Sequence, residues 1–186
     1  IGEGKPDKAG KTVGTSIVLF AIIGVVMTVI LELFAGPIAN ILQVPAESFD
    51  KTVLYLRICS GGILIIIAYN VISSVLRGIG NANLPLLFVG IACAANIAGD
   101  LFFVGVLKLD VAGAALATVL AQLISVIASM GELKKGNLPI EFKKEDCRID
   151  RDELKKVLNV GVPIALQETT VQISFLVINS IINGSG

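Results

Sequence analysis

Pro85 to Leu107 reads PLLFVGIACAANIAGDLFFVGVL, twenty-three positions with one charged side chain, Asp100, and one amide, Asn96. A bilayer core about 30 Å thick is crossed by roughly 20 apolar residues wound as a helix. The stretch is therefore long enough to span a membrane. Pro85 falls at its start, where a missing N–H leaves no helical bond unmade. Upstream, Thr52 to Val75 reads as another span and ends in the loop Leu76-Arg77-Gly78-Ile79-Gly80-Asn81. Before that lies Thr12 to Phe34, whose apolar tail is interrupted at Gly36-Pro37, with the piece to Leu42 near the interface and a turn at Val44-Pro45-Ala46-Glu47. Downstream, Lys108-Leu109-Asp110 is a very short turn before the alanine-rich span Val111 to Met130. A charged linker runs to Lys156, and a last span, Val157 to Asn183, carries Gly161 and Pro163 near its beginning. Asp150 and Glu153 have the spacing of a capping box that opens a helix. Five spans predict an all-α, polytopic membrane helical bundle.

Composition agrees with that reading. Hydrophobic residues fill 54% of 186 positions, and the mean hydropathy is +0.85, above the range of ordinary soluble domains. Net charge is zero, yet fifteen of the thirty charged residues sit between Glu132 and Lys156. The absence of histidine excludes imidazole chemistry within the chain. Cys59, Cys93 and Cys147 form no CxxC pair, so neither a disulfide framework nor a zinc site is suggested. The polar, glycine-rich opening does not resemble a cleavable signal peptide. Alternating the loops across the spans puts twelve cations on the side of the linker and three, Lys51, Arg57 and Lys108, on the other. The positive-inside rule makes the linker side cytoplasmic, in a multi-pass protein of the inner (cell) membrane.

Polar side chains inside the spans carry the functional reading. A lone carboxylate costs about 2.5–3.5 kcal/mol at the bilayer centre on insertion scales, and such groups face a cavity or a partner. Asn96 precedes Asp100 by four residues and shares its helix face. An amide beside a carboxyl suits a proton or a sodium ion; the plainer alternative is an interhelical hydrogen bond. Thr118, Gln122 and Ser125 form a matching stripe on the fourth span, among small residues that permit close packing. Asn70, Ser73 and Arg77 line one side of the second span, with Tyr55 near its opposite end and Arg77 as an edge anchor. Glu32 and Arg57 fall near the outer boundary and either pair or snorkel. Glu168, Gln172, Asn179 and Asn183 make a further stripe. Glu168 lies either in a binding arrangement beside a helix loosened by Gly161 and Pro163, or in solvent at the interface.

These residues resemble a family. Val75-Leu76-Arg77-Gly78-Ile79-Gly80-Asn81, the Asn96/Asp100 helix and Val111-Ala112-Gly113-Ala114-Ala115-Leu116-Ala117-Thr118 look like the multidrug and toxic compound extrusion (MATE) transporters. Ile1-Gly2-Glu3-Gly4 with Ala9 resembles that family's loop between helices 2 and 3, and Gly161-Val162-Pro163 the start of helix 7. The resemblance implies helices 3 to 7 of a twelve-helix, two-lobe transporter. Residues 1–131 would belong to the amino-terminal lobe, 132–156 to the cytoplasmic inter-lobe linker, and 157–186 to the first helix of the carboxy-terminal lobe. It further implies export of drug-like, cationic or amphipathic molecules by alternating access, in exchange for H+ or Na+, with no other cofactor and no nucleic-acid partner. Asn96, Asp100 and Thr118 match the family's cation site in type and spacing, and Ala114 would offer a carbonyl; these are also the implied Na+ ligands. Tyr55 and Asn70 match polar positions lining the same cavity, and Gln122 and Glu168 join that lining. The family's helix 1 aspartate is not in this chain, so the remaining helices of the same transporter are expected to complete the site. Some members carry a helix 7 acid about one turn beyond the position of Glu168.

Two rivals differ in class. A lipid-linked saccharide flippase shares the architecture but presents interior cations to a pyrophosphate, and these spans hold almost none. An intramembrane enzyme needs a catalytic pair or a metal cluster; Asp100 stands alone within its span.

Overall fold

The structure, a computed structural model, describes residues 6–134 and 144–184. Its elements are α1 (Pro6–Ile41), α2 (Ala46–Gly61), α3 (Ile63–Gly78), α4 (Asn83–Asp100) continued by a π-helical turn (Leu101–Val106), α5 (Asp110–Lys134), a 3-10 turn (Lys144–Asp146) and α6 (Arg151–Gly184). Three helical stretches, Ala9–Ile41, Asn83–Val106 and Asp110–Leu133, are long and apolar enough to cross a membrane, and α2 with α3 makes a fourth, broken one; α6, expected as the fifth span, is not among the described helices that meet that length and apolarity. Helix α5 lies at the centre and packs on α2, α3 and α4, while α1 packs on α2 and α3. Tyr69, Leu76, Phe88 and Val126 form the buried apolar cluster where α3, α4 and α5 meet. The outward faces carry Phe20, Val29, Leu86, Leu101 and Ile127 in the open, as a lipid-facing surface requires.

Four local expectations are revised by packing. Helix α1 continues through Pro37 rather than being interrupted there. Ala35 and Ala39, 1% and 0% exposed, flank the proline, and burial on both sides of it offsets the one backbone bond proline cannot donate. The second span, read as continuous, bends by 47° between α2 and α3. Its cause is legible at Gly61-Gly62: a Cβ on Gly62 would lie 2.6 Å from Val119 Cγ2, so α5 approaches where no side chain can stand. The third span ends in π geometry, with Leu107 N–H donating to the Phe102 carbonyl at 2.9 Å. Finally, α6 is unbroken at Gly161 and Pro163 and opens at Arg151.

The opening of α6 is docked. Asp150 Oδ1 accepts from the backbone N–H groups of Asp152 (3.0 Å) and Glu153 (3.3 Å), the capping half of the expected box. The reciprocal half is replaced by contacts to α1. Thr12 Oγ1 donates to Glu153 Oε2 at 2.7 Å, and the Asp150 backbone N–H donates to Thr15 Oγ1 at 3.2 Å. Thr15 Oγ1 in turn donates to the Arg148 carbonyl, also at 3.2 Å. Gly14 makes room: a Cβ there would collide with the Asp146 carbonyl. The capping N–H groups of Glu153 and Asp152 hold the Asp150 carboxyl below the ordinary aspartate value. The Lys156 ammonium, then the Thr12 hydroxyl, does the same for Glu153.

Candidate cation site between α4 and α5

Helices α4 and α5 run antiparallel and close. A Cβ on Gly99 would lie 2.9 Å from Ala117 Cβ, so a small residue on each helix sets the separation. Ser125 Oγ donates to the Phe88 carbonyl at 2.8 Å and pins one end of the pair. Between these contacts Asn96 Nδ2 donates to Thr118 Oγ1 at 3.4 Å. Thr118 Oγ1 donates to the Ala114 carbonyl at 3.0 Å. The pattern is explained by helical periodicity, since residues four apart stack on one face: Asn96 with Asp100 on α4, and Ala114, Thr118 and Gln122 on α5.

Counting protons shows what this place lacks. Thr118 spends its one hydroxyl proton on Ala114 and receives one from Asn96. Asp100 Oδ1 and Gln122 Oε1 are buried and, among the described residues, have no hydrogen-bond partner. A buried acceptor without a donor costs roughly 1–3 kcal/mol, more when charged. The helix pair is therefore short of positive charge or protons. The oxygens of Asp100, Asn96, Thr118 and Ala114 are hard donors of the kind a proton or a sodium ion meets. Among the described residues no three His, Cys, Asp or Glu side chains gather in one place, so this chain offers one carboxylate with neutral oxygens.

The other candidates divide. Tyr55 on α2 lies within electrostatic reach of Asp100, so it belongs to this neighbourhood. Asn70 donates to the Ile66 carbonyl at 2.9 Å. It lines a separate cleft of about 690 Å³, together with Thr12, Ser16, Phe20 and Ser74, whose walls hold none of Asn96, Asp100 and Thr118. Glu168 is exposed on α6; α6 packs on α1 among the described elements, which leaves Glu168 apart from the α4–α5 pair. Arg77 bonds Ser73 Oγ at 2.9 Å and Ser74 Oγ at 3.3 Å, an anchor at the end of α3. Glu32 pairs with Ser60 Oγ on α2, and not with Arg57. That contact was missed in the sequence because serine twenty-eight positions away has no periodic relation to Glu32.

A multi-span helical bundle with one acid set among neutral oxygens is the build of a membrane transporter. The chain belongs to the MatE family, whose family model matches residues 1–102. It is 30% identical to the probable multidrug resistance protein YpnP of Bacillus subtilis over 79% of this chain and 33% of that protein. It is 27% identical to the probable multidrug resistance protein YoeA of the same organism, over 100% of this chain and 42% of the relative. The crystal structure of MATE in the bent conformation superposes with a TM-score of 0.81 at 26% identity, over 90% of this chain and 43% of that one. The chain thus spans about a third to two fifths of its curated relatives' lengths. These likenesses make it part of a transporter family and not an enzyme.

Proposed function

We propose that the whole protein is a cation-coupled antiporter of the cell membrane that exports drug-like amphipathic or cationic molecules. The observation that carries this is the buried, unpartnered Asp100 Oδ1 beside the Asn96–Thr118 contact. In this reading Asp100 takes up the coupling proton or Na+, with Asn96, Thr118 and the Ala114 carbonyl as neutral ligands. Tyr55 and Gln122 border the same space. Residues up to 131 form part of one lobe, 132–156 a cytoplasmic linker, and 157–186 the first helix of the second lobe. The multidrug resistance names of the relatives support the substrate class.

Coupling follows from differential affinity. A cation at Asp100 supplies the charge that the α4–α5 pair lacks and so favours the packing that keeps the pair closed. Drug binding favours the other packing, and the coupling cannot exceed the difference in ion affinity between the two. Efflux of a fluorescent cationic dye from vesicles holding the whole protein, under an imposed Na+ or proton gradient, tests this. Gradient-driven export that Asp100→Asn abolishes is the expected result, and the gradient that works names the ion. Undiminished export by Asp100→Asn would refute the site, and no export under either gradient would favour the lipid flippase.

A further inference from the structure

Glu32 is a second acid inside a membrane-spanning helix and plays no part in the α4–α5 site. Intramembrane carboxyls are costly and mark functional positions. Its partner, Ser60, is 1% exposed and stands one residue before the Gly61-Gly62 bend. Ser60 Oγ is in hydrogen-bond contact with Glu32 Oε1 and lies 2.8 Å from the Arg57 carbonyl. Thr28 Oγ1, one turn before Glu32 on α1, donates to the Ser60 carbonyl at 3.1 Å.

A serine hydroxyl has one proton to donate, and Ser60 faces two acceptors. With Glu32 ionised, that proton serves either the carboxylate or the Arg57 carbonyl, and the other contact has no hydrogen in it. With Glu32 protonated, both are satisfied: Glu32 Oε1–H donates to Ser60 Oγ, and Ser60 Oγ–H donates to Arg57. We infer that Glu32 is a proton-binding residue distinct from Asp100, and that its proton fixes the bend between α2 and α3. One O–H bond forms at Glu32, from a proton of the aqueous phase, and the Ser60 hydroxyl turns from Glu32 to Arg57.

The surrounding charges leave this switch to Glu32. On α2, Lys51 pairs with Asp110, Glu47, Asp50 and Arg57 are exposed, and Tyr55 lies within electrostatic reach of Cys59 and Asp100. On α3, Tyr69 donates to the Pro85 carbonyl and Arg77 to Ser73 and Ser74. Glu153 of α6 and Asp146 of the 3-10 turn meet α1 at Thr12 and Gly14, about 27–30 Å along the helix from Glu32 at 1.5 Å per residue. The bend itself rests on Val119 through Gly62, next in sequence to Thr118, so a change of bend presses directly on α5.

Infrared difference spectra of the whole protein between acid and neutral pH test the inference, with amide hydrogen exchange over residues 57–63 as a second reading. The expected result is a protonated-carboxyl band that Glu32→Gln removes, Ser60→Ala shifts in frequency, and Asp100→Asn leaves in place. Exchange over residues 57–63, corrected for intrinsic rate, should slow several-fold on acidification and stay slow at both pH values in Glu32→Gln, whose amide N–H also donates to Ser60. A band of full amplitude in Glu32→Gln, a band unmoved by Ser60→Ala, or exchange indifferent to pH would overturn it. The Asp100→Asn control separates this outcome from failure of the antiport site.

Discussion

Gly99→Ala tests whether the spacing of α4 and α5 sets ion affinity. The added Cβ would lie 2.9 Å from Ala117 Cβ and 3.3 Å from Ala117 Cα. Carbon atoms rest at about 3.5–4.0 Å, so the helices must part by about 0.6–1.1 Å. The Asn96–Thr118 contact already stands at 3.4 Å, and that shift carries it beyond hydrogen-bonding reach. Overpacking of this kind costs roughly 1–3 kcal/mol. Felt at the site, the same energy weakens ion binding roughly 5- to 150-fold. The assay is the ion concentration giving half-maximal dye efflux by the whole protein. Gly99→Ala should raise it, and adding Ala117→Gly, which removes the 2.9 Å neighbour, should restore it. An unchanged half-saturation in Gly99→Ala, or a double variant no better than the single, would show that the α4–α5 spacing does not set ion affinity.

Other outcomes follow from the same geometry. Thr118→Val removes the acceptor of Asn96 and the donor to Ala114, and should weaken ion half-saturation about tenfold, roughly 1.4 kcal/mol; Thr118→Ser, which keeps the hydroxyl, should not. The docked linker should release in acid. Asp150 and Glu153 are both held below their ordinary values, so their contribution is complete above about pH 5 and is lost as pH falls through the lowered values. A nitroxide on the exposed Cys147 should be immobile at pH 7 and pH 5 and mobile in stronger acid. Immobility throughout would mean that these carboxyls do not hold the linker.

Much of this was legible in the sequence because a bilayer imposes length and polarity at once. The span at Pro85–Leu107 needed no tertiary information, nor did the shared face of Asn96 and Asp100, four residues apart. Thr118 could be paired with them by family resemblance, and the 3.4 Å contact to Asn96 places it opposite. What escaped was set by neighbours. Pro37 reads as a break until Ala35 and Ala39 are seen buried on either side of it, and Thr52–Val75 reads as one continuous span until Val119 is found against Gly62. The π turn after Asp100 has no residue signature in Leu101–Val106, a stretch of Leu, Phe and Val with Gly105. Asn70 shares its polarity with the α4–α5 residues but turns to the cleft beside α1, and helical periodicity alone does not say which neighbour a face meets. Half of the capping box at Asp150 formed as spaced, while Glu153 found Thr12 on a helix 141 positions away.

Whether Asp100 holds the coupling ion is decided by cation binding to the purified whole protein, measured as radiosodium bound at saturation and as protons taken up from unbuffered solution. Asp100→Asn should lose one bound cation per protein relative to the parent, and Asn96→Ala should keep the number while weakening the affinity. A full complement of bound cation in Asp100→Asn would contradict it and reduce Asp100 to a packing residue of the α4–α5 pair.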